Sequence, residues 1–208
     1  MKGKFITFEG SEGSGKTTQI KIACEYLRKK KKKFLFVREP GGVKISEKVR
    51  AILLDVENTH MGDECETLLY MAARAQLVKE VIKPALQKGL IVLCDRFLDS
   101  TIAYQGYGNG VDIKFIKMLG EFATTRISPD LTILFDIDTK LGLSRTNKNK
   151  DRIERRALSY HSKVRNGYLR IASKEPNRVK VIKVNRGVDE ISFEVRRHIN
   201  KLLGIKDE

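Results

Sequence analysis

Cysteine is scarce in this chain and long apolar runs are missing. Cys24, Cys65 and Cys94 are odd in number and far apart, with no C-x-x-C pair. That spacing argues against a zinc site and against a disulfide framework. All three lie in apolar periodic segments, which predicts buried, reduced thiols of a cytoplasmic protein. No stretch approaches the ~20 apolar residues of a membrane span. The apolar residues 5–8, just ahead of a glycine-rich turn, are too few for a signal-peptide core. There is no internal repeat, no linker and no aromatic-studded basic strand of the kind that reads nucleic acid.

Basic charge, by contrast, is abundant. Lys and Arg number 41 against 26 Asp and Glu, a net charge of +15 over 208 residues. The densest run, residues 28–33, falls where a helix should end, and cations favour a helix C-terminus. We therefore read the charge as solvated lysine on an intracellular protein that handles anionic nucleotides, with no nucleic-acid or membrane partner. The length suits one domain, residues 1–208, with a sizeable core. A composition 41% hydrophobic and 32% charged is that of a globular chain.

Gly10, Ser11, Glu12, Gly13, Ser14, Gly15, Lys16, Thr17 and Thr18 follow an apolar run and fit the P-loop pattern G-x-x-x-x-G-K-[ST]. Glycines let the backbone N–H groups curl around a phosphate, and the helix that follows adds its positive end. Lys16 would reach the β- and γ-phosphates of ATP, and the Thr17 hydroxyl would ligate Mg²⁺.

Short apolar runs at residues 4–8, 34–37, 90–94, 131–135 and 179–184 read as strands. Helical periodicity covers 17–31, 43–54, 63–81, 112–123, 157–172 and 188–203. Asp63 is the expected N-cap of the third of these, with Glu66 its capping-box partner, and Pro84 should kink or restart that helix. Residues 147–156 are polar and basic without periodicity, and predict a mobile lid over about 145–156. The alternation implies an α/β fold with a parallel sheet covered on both faces. Ligands then sit at the carboxyl ends of the strands.

The informative side chains fall at those ends. Asp95 closes a strand, where a second carboxylate of a P-loop protein acts on the metal. Arg96 and Arg38 would clamp phosphate. Tyr70 and Arg74 are four apart on one helix and suit a nucleobase. Ser100, Thr101, Tyr104 and Gln105 offer the hydroxyls and amide that base edges need. Arg145, Arg152, Arg155 and Arg156 surround the expected lid, where a delivered cation would stabilise a transferring phosphoryl group.

Together the P-loop, Arg38-Glu39-Pro40-Gly41-Gly42, Tyr70-Met71-Ala72-Ala73-Arg74, Asp95-Arg96-Phe97, residues 100–106 and Asp151-Arg152-Ile153-Glu154 resemble the bacterial thymidylate kinases in order and spacing. The resemblance implies a P-loop kinase fold with a five-stranded parallel sheet and transfer of the γ-phosphoryl of ATP to dTMP. It also implies Mg²⁺ held at Thr17 and Asp95, and a homodimer. It assigns Glu12 to the sugar 3′-hydroxyl, Arg38 and Arg96 to the dTMP phosphate, and Pro40 to a position that is often cis. Tyr70 would stack on thymine, where the family usually has Phe. Arg74 would meet a thymine carbonyl, Thr101 and Gln105 the base edge, and Tyr104 the ribose 2′ position. No arginine stands inside the P-loop, so the catalytic cation should come from the lid, with Arg152 the first choice and Arg145 the second. Another nucleoside monophosphate kinase of the same fold is the nearest alternative. A GTP-hydrolysing switch is disfavoured, because Asn147-Lys148-Asn149-Lys150 begins like N-K-x-D but ends in lysine.

Overall fold

The computed structural model describes residues 3–146 and 151–206. Five strands, β1 (Lys4–Glu9), β2 (Phe34–Arg38), β3 (Ile91–Asp95), β4 (Leu131–Asp136) and β5 (Val179–Lys183), pair in parallel in the order β2-β3-β1-β4-β5. The helices are α1 (Lys16–Lys29), α2 (Lys44–Leu54), α3 (Asp63–Leu77), α4 (Lys83–Gln87), α5 (Leu98–Thr101), α6 (Ile113–Thr124), α7 (Thr139–Ser144), α8 (Leu158–Lys174) and α9 (Val188–Leu203).

Side chains of a strand alternate between faces. Ile6 and Phe8 of β1 pack with Ile20 and Leu27 of α1 and Ile199 of α9, while Phe5 packs with Leu77 of α3 and with Ile82. A third cluster joins Met71, Tyr104, Ile116 and Val164. Both faces of the central strands are thus buried, which is why they read as apolar runs in the sequence.

Four expectations are corrected. The helix expected over 63–81 breaks at Leu77 into a π turn, Val78–Ile82, and restarts as α4 with Pro84 in its first turn. A proline ring clashes with the carbonyl four residues back, and the wider π turn relieves that clash. Asp63 and Glu66 form no capping box: Gly62 is the N-cap, and Glu66 is fully buried with partners elsewhere. Cys65 is exposed on the outer side of α3, unlike the buried Cys24 and Cys94. Finally, residues 151–156 do not form a solvated loop, because Ile153 is buried in the cluster that holds Met71 and Tyr160. Residues 147–150, the middle of the expected lid, lie outside the described residues. Helices α5 and α7 and a π turn over Ile102–Gly108 are too short to show periodicity in the sequence. No helix among the described residues is long and apolar enough to cross a membrane.

Candidate active site

The P-loop links β1 to α1 with the curvature that its glycines permit. Gly10 has φ +140°, and a Cβ there would lie 2.5 Å from the Phe135 carbonyl oxygen. Gly13 has φ +66°, and a Cβ there would lie 2.0 Å from the Gly142 carbonyl oxygen at α7. Helix α1 begins without a side-chain cap, so its first N–H groups are available to an anion. Lys16 is folded back on the loop. Its Nζ donates to the carbonyls of Gly10 at 2.7 Å and Ser11 at 3.0 Å, and to Ser14 Oγ at 3.3 Å. Burial, helped by the charge of Arg96, pushes the Lys16 ammonium down to about 8, against the pull of Asp95 and Glu12.

A cavity of about 340 Å³ runs from Lys16 and Thr17 past Asp95 and Arg96 to Tyr70 and Arg74. Arg96 follows β3 with φ +67°, a left-handed conformation that is uncommon outside glycine and marks functional positions. Its Nη2 donates to Glu12 Oε1 at 3.2 Å, and its Nη1 to the Tyr168 hydroxyl at 3.1 Å and Ser100 Oγ at 3.3 Å. The guanidinium also lies 5.0 Å from the ring centroid of Tyr104. Tyr104 donates its hydroxyl to Glu12 at 2.5 Å. Burial works against the Glu12 charge, but His161, Arg96 and Lys16 hold its carboxyl well below the usual range. Beneath them Glu9 is fully buried and accepts from the Phe97 N–H at 2.7 Å, Ser100 Oγ at 2.6 Å and the Tyr168 hydroxyl at 3.0 Å. Burial and the charge of Asp99 push Glu9 up to about 7.

Tyr70 and Arg74 both line the far end, as their spacing on α3 predicts. Arg74 is 2% exposed, with Nε donating to Glu39 Oε2 at 2.7 Å and Nη2 to the Phe97 carbonyl at 3.0 Å. Burial pushes the Glu39 carboxyl up to about 7 although Arg74 opposes it. The Glu39–Pro40 peptide bond is cis, and Pro40 lines the cavity. Thr101 and Gln105 lie on the facing wall, and the Thr101 hydroxyl is buried without a hydrogen-bond partner.

Two expected phosphate contacts are directed elsewhere. Arg38 is half exposed, gives Nη2 to both oxygens of Glu47 at 2.9 and 3.0 Å, and is absent from the cavity wall. Arg50, which the sequence reading missed, lines the wall instead and shares the Pro40 carbonyl with Arg38. Arg152 is not a free lid cation. Its Nη2 donates to the buried Glu66 at 2.6 Å and its Nε to the Leu53 carbonyl at 2.9 Å. Arg145 is exposed at the end of α7. Glu9, Glu66, His161 and Tyr168 were also missed, since each acts through partners remote in sequence.

Asp95 Oδ1 is buried without a partner at the end of β3, and Thr17 stands on the same cavity. A hydroxyl and a carboxylate are hard oxygen donors that fit a small divalent cation. Among the described residues no three His, Cys, Asp or Glu side chains cluster as a cage.

The geometry is therefore a triphosphate cradle joined to a deep pocket with an aromatic ring, a buried guanidinium and an amide. Comparison with known proteins agrees with it. The thymidylate kinase family model matches residues 8–195. The chain is 50% identical over 201 residues to a thymidylate kinase of Geobacter sulfurreducens, covering 93% of this chain and 94% of that one. It is 44% identical over 199 residues to that of Clostridium novyi, covering 94% and 97%. A crystal structure of thymidylate kinase from Ehrlichia chaffeensis superposes with a TM-score of 0.78 at 35% identity, covering 96% of this chain and 99% of that one. By its sequence, its sheet and its cavity, this chain belongs to the thymidylate kinase family.

Proposed function

We propose that this chain works as a single kinase domain that transfers the γ-phosphoryl of ATP to dTMP, giving dTDP and ADP. The observation that carries this reading is one continuous cavity with Lys16 at one end, Arg74 at the other and Arg96 and Glu12 between them. ATP enters with its phosphates on the P-loop. Lys16 exchanges the Gly10 and Ser11 carbonyls for phosphate oxygens. Arg96, held by Glu12, Ser100 and Tyr168, takes the dTMP phosphate and aims one oxygen at the γ-phosphorus. That oxygen forms the new P–O bond while the bond from the γ-phosphorus to the β–γ bridging oxygen breaks, and ADP leaves with the electron pair. The acceptor phosphate is already deprotonated, so no general base is needed. Glu12 accepts from the sugar 3′-hydroxyl, Tyr104 walls the ribose, Tyr70 stacks on thymine and Arg74 donates to its carbonyl.

Thr17 and Asp95 would hold Mg²⁺, which neutralises charge on the phosphate oxygens when bound. The cation for the transferring group is better supported at Arg145 than at Arg152. Arg145 is exposed, and Gly142 in the same helix abuts the Glu12 backbone, whereas Arg152 is bonded to Glu66. A homodimer is supported by Leu68 on α3 and by Phe115, Met118 and Phe122 on the adjoining α6, all exposed, with Phe122 at 84%. A cytoplasmic location follows from the substrates. The test is an ADP-release assay with Mg-ATP against dTMP, AMP, GMP and CMP. We expect dTMP to lead by a wide margin in kcat/KM, and preference for a purine would overturn the reading.

A further inference from the structure

Glu66 touches neither phosphate site, yet it is wholly buried and takes four donors. Its Oε1 accepts from Gln105 Nε2 at 2.8 Å and Asn109 Nδ2 at 3.2 Å. Its Oε2 accepts from Arg152 Nη2 at 2.6 Å and Arg156 Nη2 at 2.9 Å. A carboxylate between two guanidinium groups offers no proton. Gln105 must therefore turn its NH₂ toward Glu66, which leaves its carbonyl oxygen for the cavity that the side chain lines. Arg74 faces the same pocket. Its Nε and Nη2 are engaged by Glu39 and Phe97, while Nη1 meets the Met71 sulfur at 3.3 Å, a weak acceptor. The pocket thus sets a donor beside an acceptor. The O4 and N3–H edge of thymine or uracil complements that pair. The N4 amine and N3 lone pair of cytosine oppose it at both points.

We infer that Glu66 is a positioning residue that sets the base specificity of the acceptor pocket, holding the Gln105 amide so that it accepts an imide N–H and rejects cytosine. The inference rests on the dTMP kinase reading above. It makes a specific claim about Glu66→Gln, which keeps size and shape. Arg152 and Arg156 will hold the oxygen of the new amide, so its NH₂ faces Gln105. Gln105 then turns its carbonyl toward position 66 and its NH₂ toward the base, and the readout inverts.

The experiment measures kcat/KM for dTMP, dUMP and dCMP at saturating Mg-ATP. It uses the full chain, Glu66→Gln, Gln105→Leu and the double variant, with folding checked by circular dichroism. In Glu66→Gln the dTMP:dCMP ratio should fall about tenfold or more, the scale of a mismatched buried hydrogen bond. The dTMP:dUMP ratio should stay fixed, because both bases share the edge that is read. Gln105→Leu should lower the dTMP:dCMP ratio by itself and cancel the effect of Glu66→Gln on it. Proportional losses for dTMP and dCMP in Glu66→Gln would mean a purely structural role and overturn the inference. If Glu66→Gln does not fold, an unchanged ratio in Gln105→Leu overturns it equally. An unsubstituted chain that ignores dTMP would instead overturn the functional reading, and this inference with it.

Discussion

Arg152→Ala removes one of two guanidinium groups from Glu66 and a donor from the Leu53 carbonyl. Glu66 is 0% exposed, so it cannot recover the lost bond from solvent. Breaking a buried ion pair costs about 3–5 kcal/mol when one charge is left uncompensated. Here Glu66 keeps Arg156 at 2.9 Å and Gln105 at 2.8 Å, which argues for roughly 2–3 kcal/mol. For a chain of 208 residues each kcal/mol lowers Tm by about 2–4 °C, so Tm should fall by about 4–12 °C. The same change loosens Gln105, so KM for dTMP should rise while kcat falls less than about tenfold. Thermal unfolding by circular dichroism and steady-state kinetics at saturating Mg-ATP measure the two effects. A Tm within about 1 °C of the parent, with kcat down about 10²-fold at constant KM, would make Arg152 a transition-state donor and refute this reasoning.

Arg145→Ala should show that pattern instead, a loss of about 10²-fold in kcat with small changes in both KM values and in Tm; near-normal turnover would remove it from the mechanism. The Lys16 ammonium acts in its protonated form, which burial depletes as pH rises through about 8. kcat/KM for ATP should therefore decline above about pH 8, and a profile flat to pH 10 would contradict that shift. Arg74→Ala should lower Tm by leaving Glu39 buried alone and raise KM for dTMP at unchanged KM for ATP; equal damage to both would take Arg74 out of the acceptor pocket. If the proposed homodimer forms through α6, Phe122→Glu should sediment as a monomer at micromolar concentration where the parent sediments as a dimer, and the same species for both would refute that interface.

What was legible in the sequence was whatever depends on neighbours along the chain. Parallel strands buried on both faces read as apolar runs, and the amphipathic residues 188–203 coincide with α9. The P-loop is a local motif, and Tyr70 with Arg74 needs only helical spacing. Glu66 failed for the same reason. Its three-residue distance from Asp63 imitates a capping box, whereas its partners stand 39 to 90 residues away. The docking of residues 151–156 was not legible, because one apolar residue gives no period, while the segment is held by buried Ile153 and by the bonds of Arg152 and Arg156 to Glu66. Arg38 and Arg50 could not be ranked, because Glu47 diverts one of them by a contact nine residues along. Cys65 has helical periodicity on the wrong face.

The net charge of +15 is a poor guide to how the site works. A cavity for two phosphorylated substrates needs converging cations, and buried cations repel each other, as the depression of Lys16 by Arg96 indicates. Surface lysines carry the same sign and are screened by solvent, so they neither relieve that repulsion nor add much to it. Buried carboxylates can relieve it, and three arginines at or next to the cavity are each held by one: Arg74 by Glu39, Arg96 by Glu12, and Arg152 by Glu66. Their placement also differs in degree. Glu12 carries its charge and stands between the two phosphate sites, where it stabilises Arg96 and Lys16 until substrate phosphates arrive. Glu39 and Glu9 sit deeper, and burial brings both to about 7, near the point where they lose that charge. The buried acids at positions 12, 39 and 66 therefore decide which cations point inward, and the basic surface has no part in that aim.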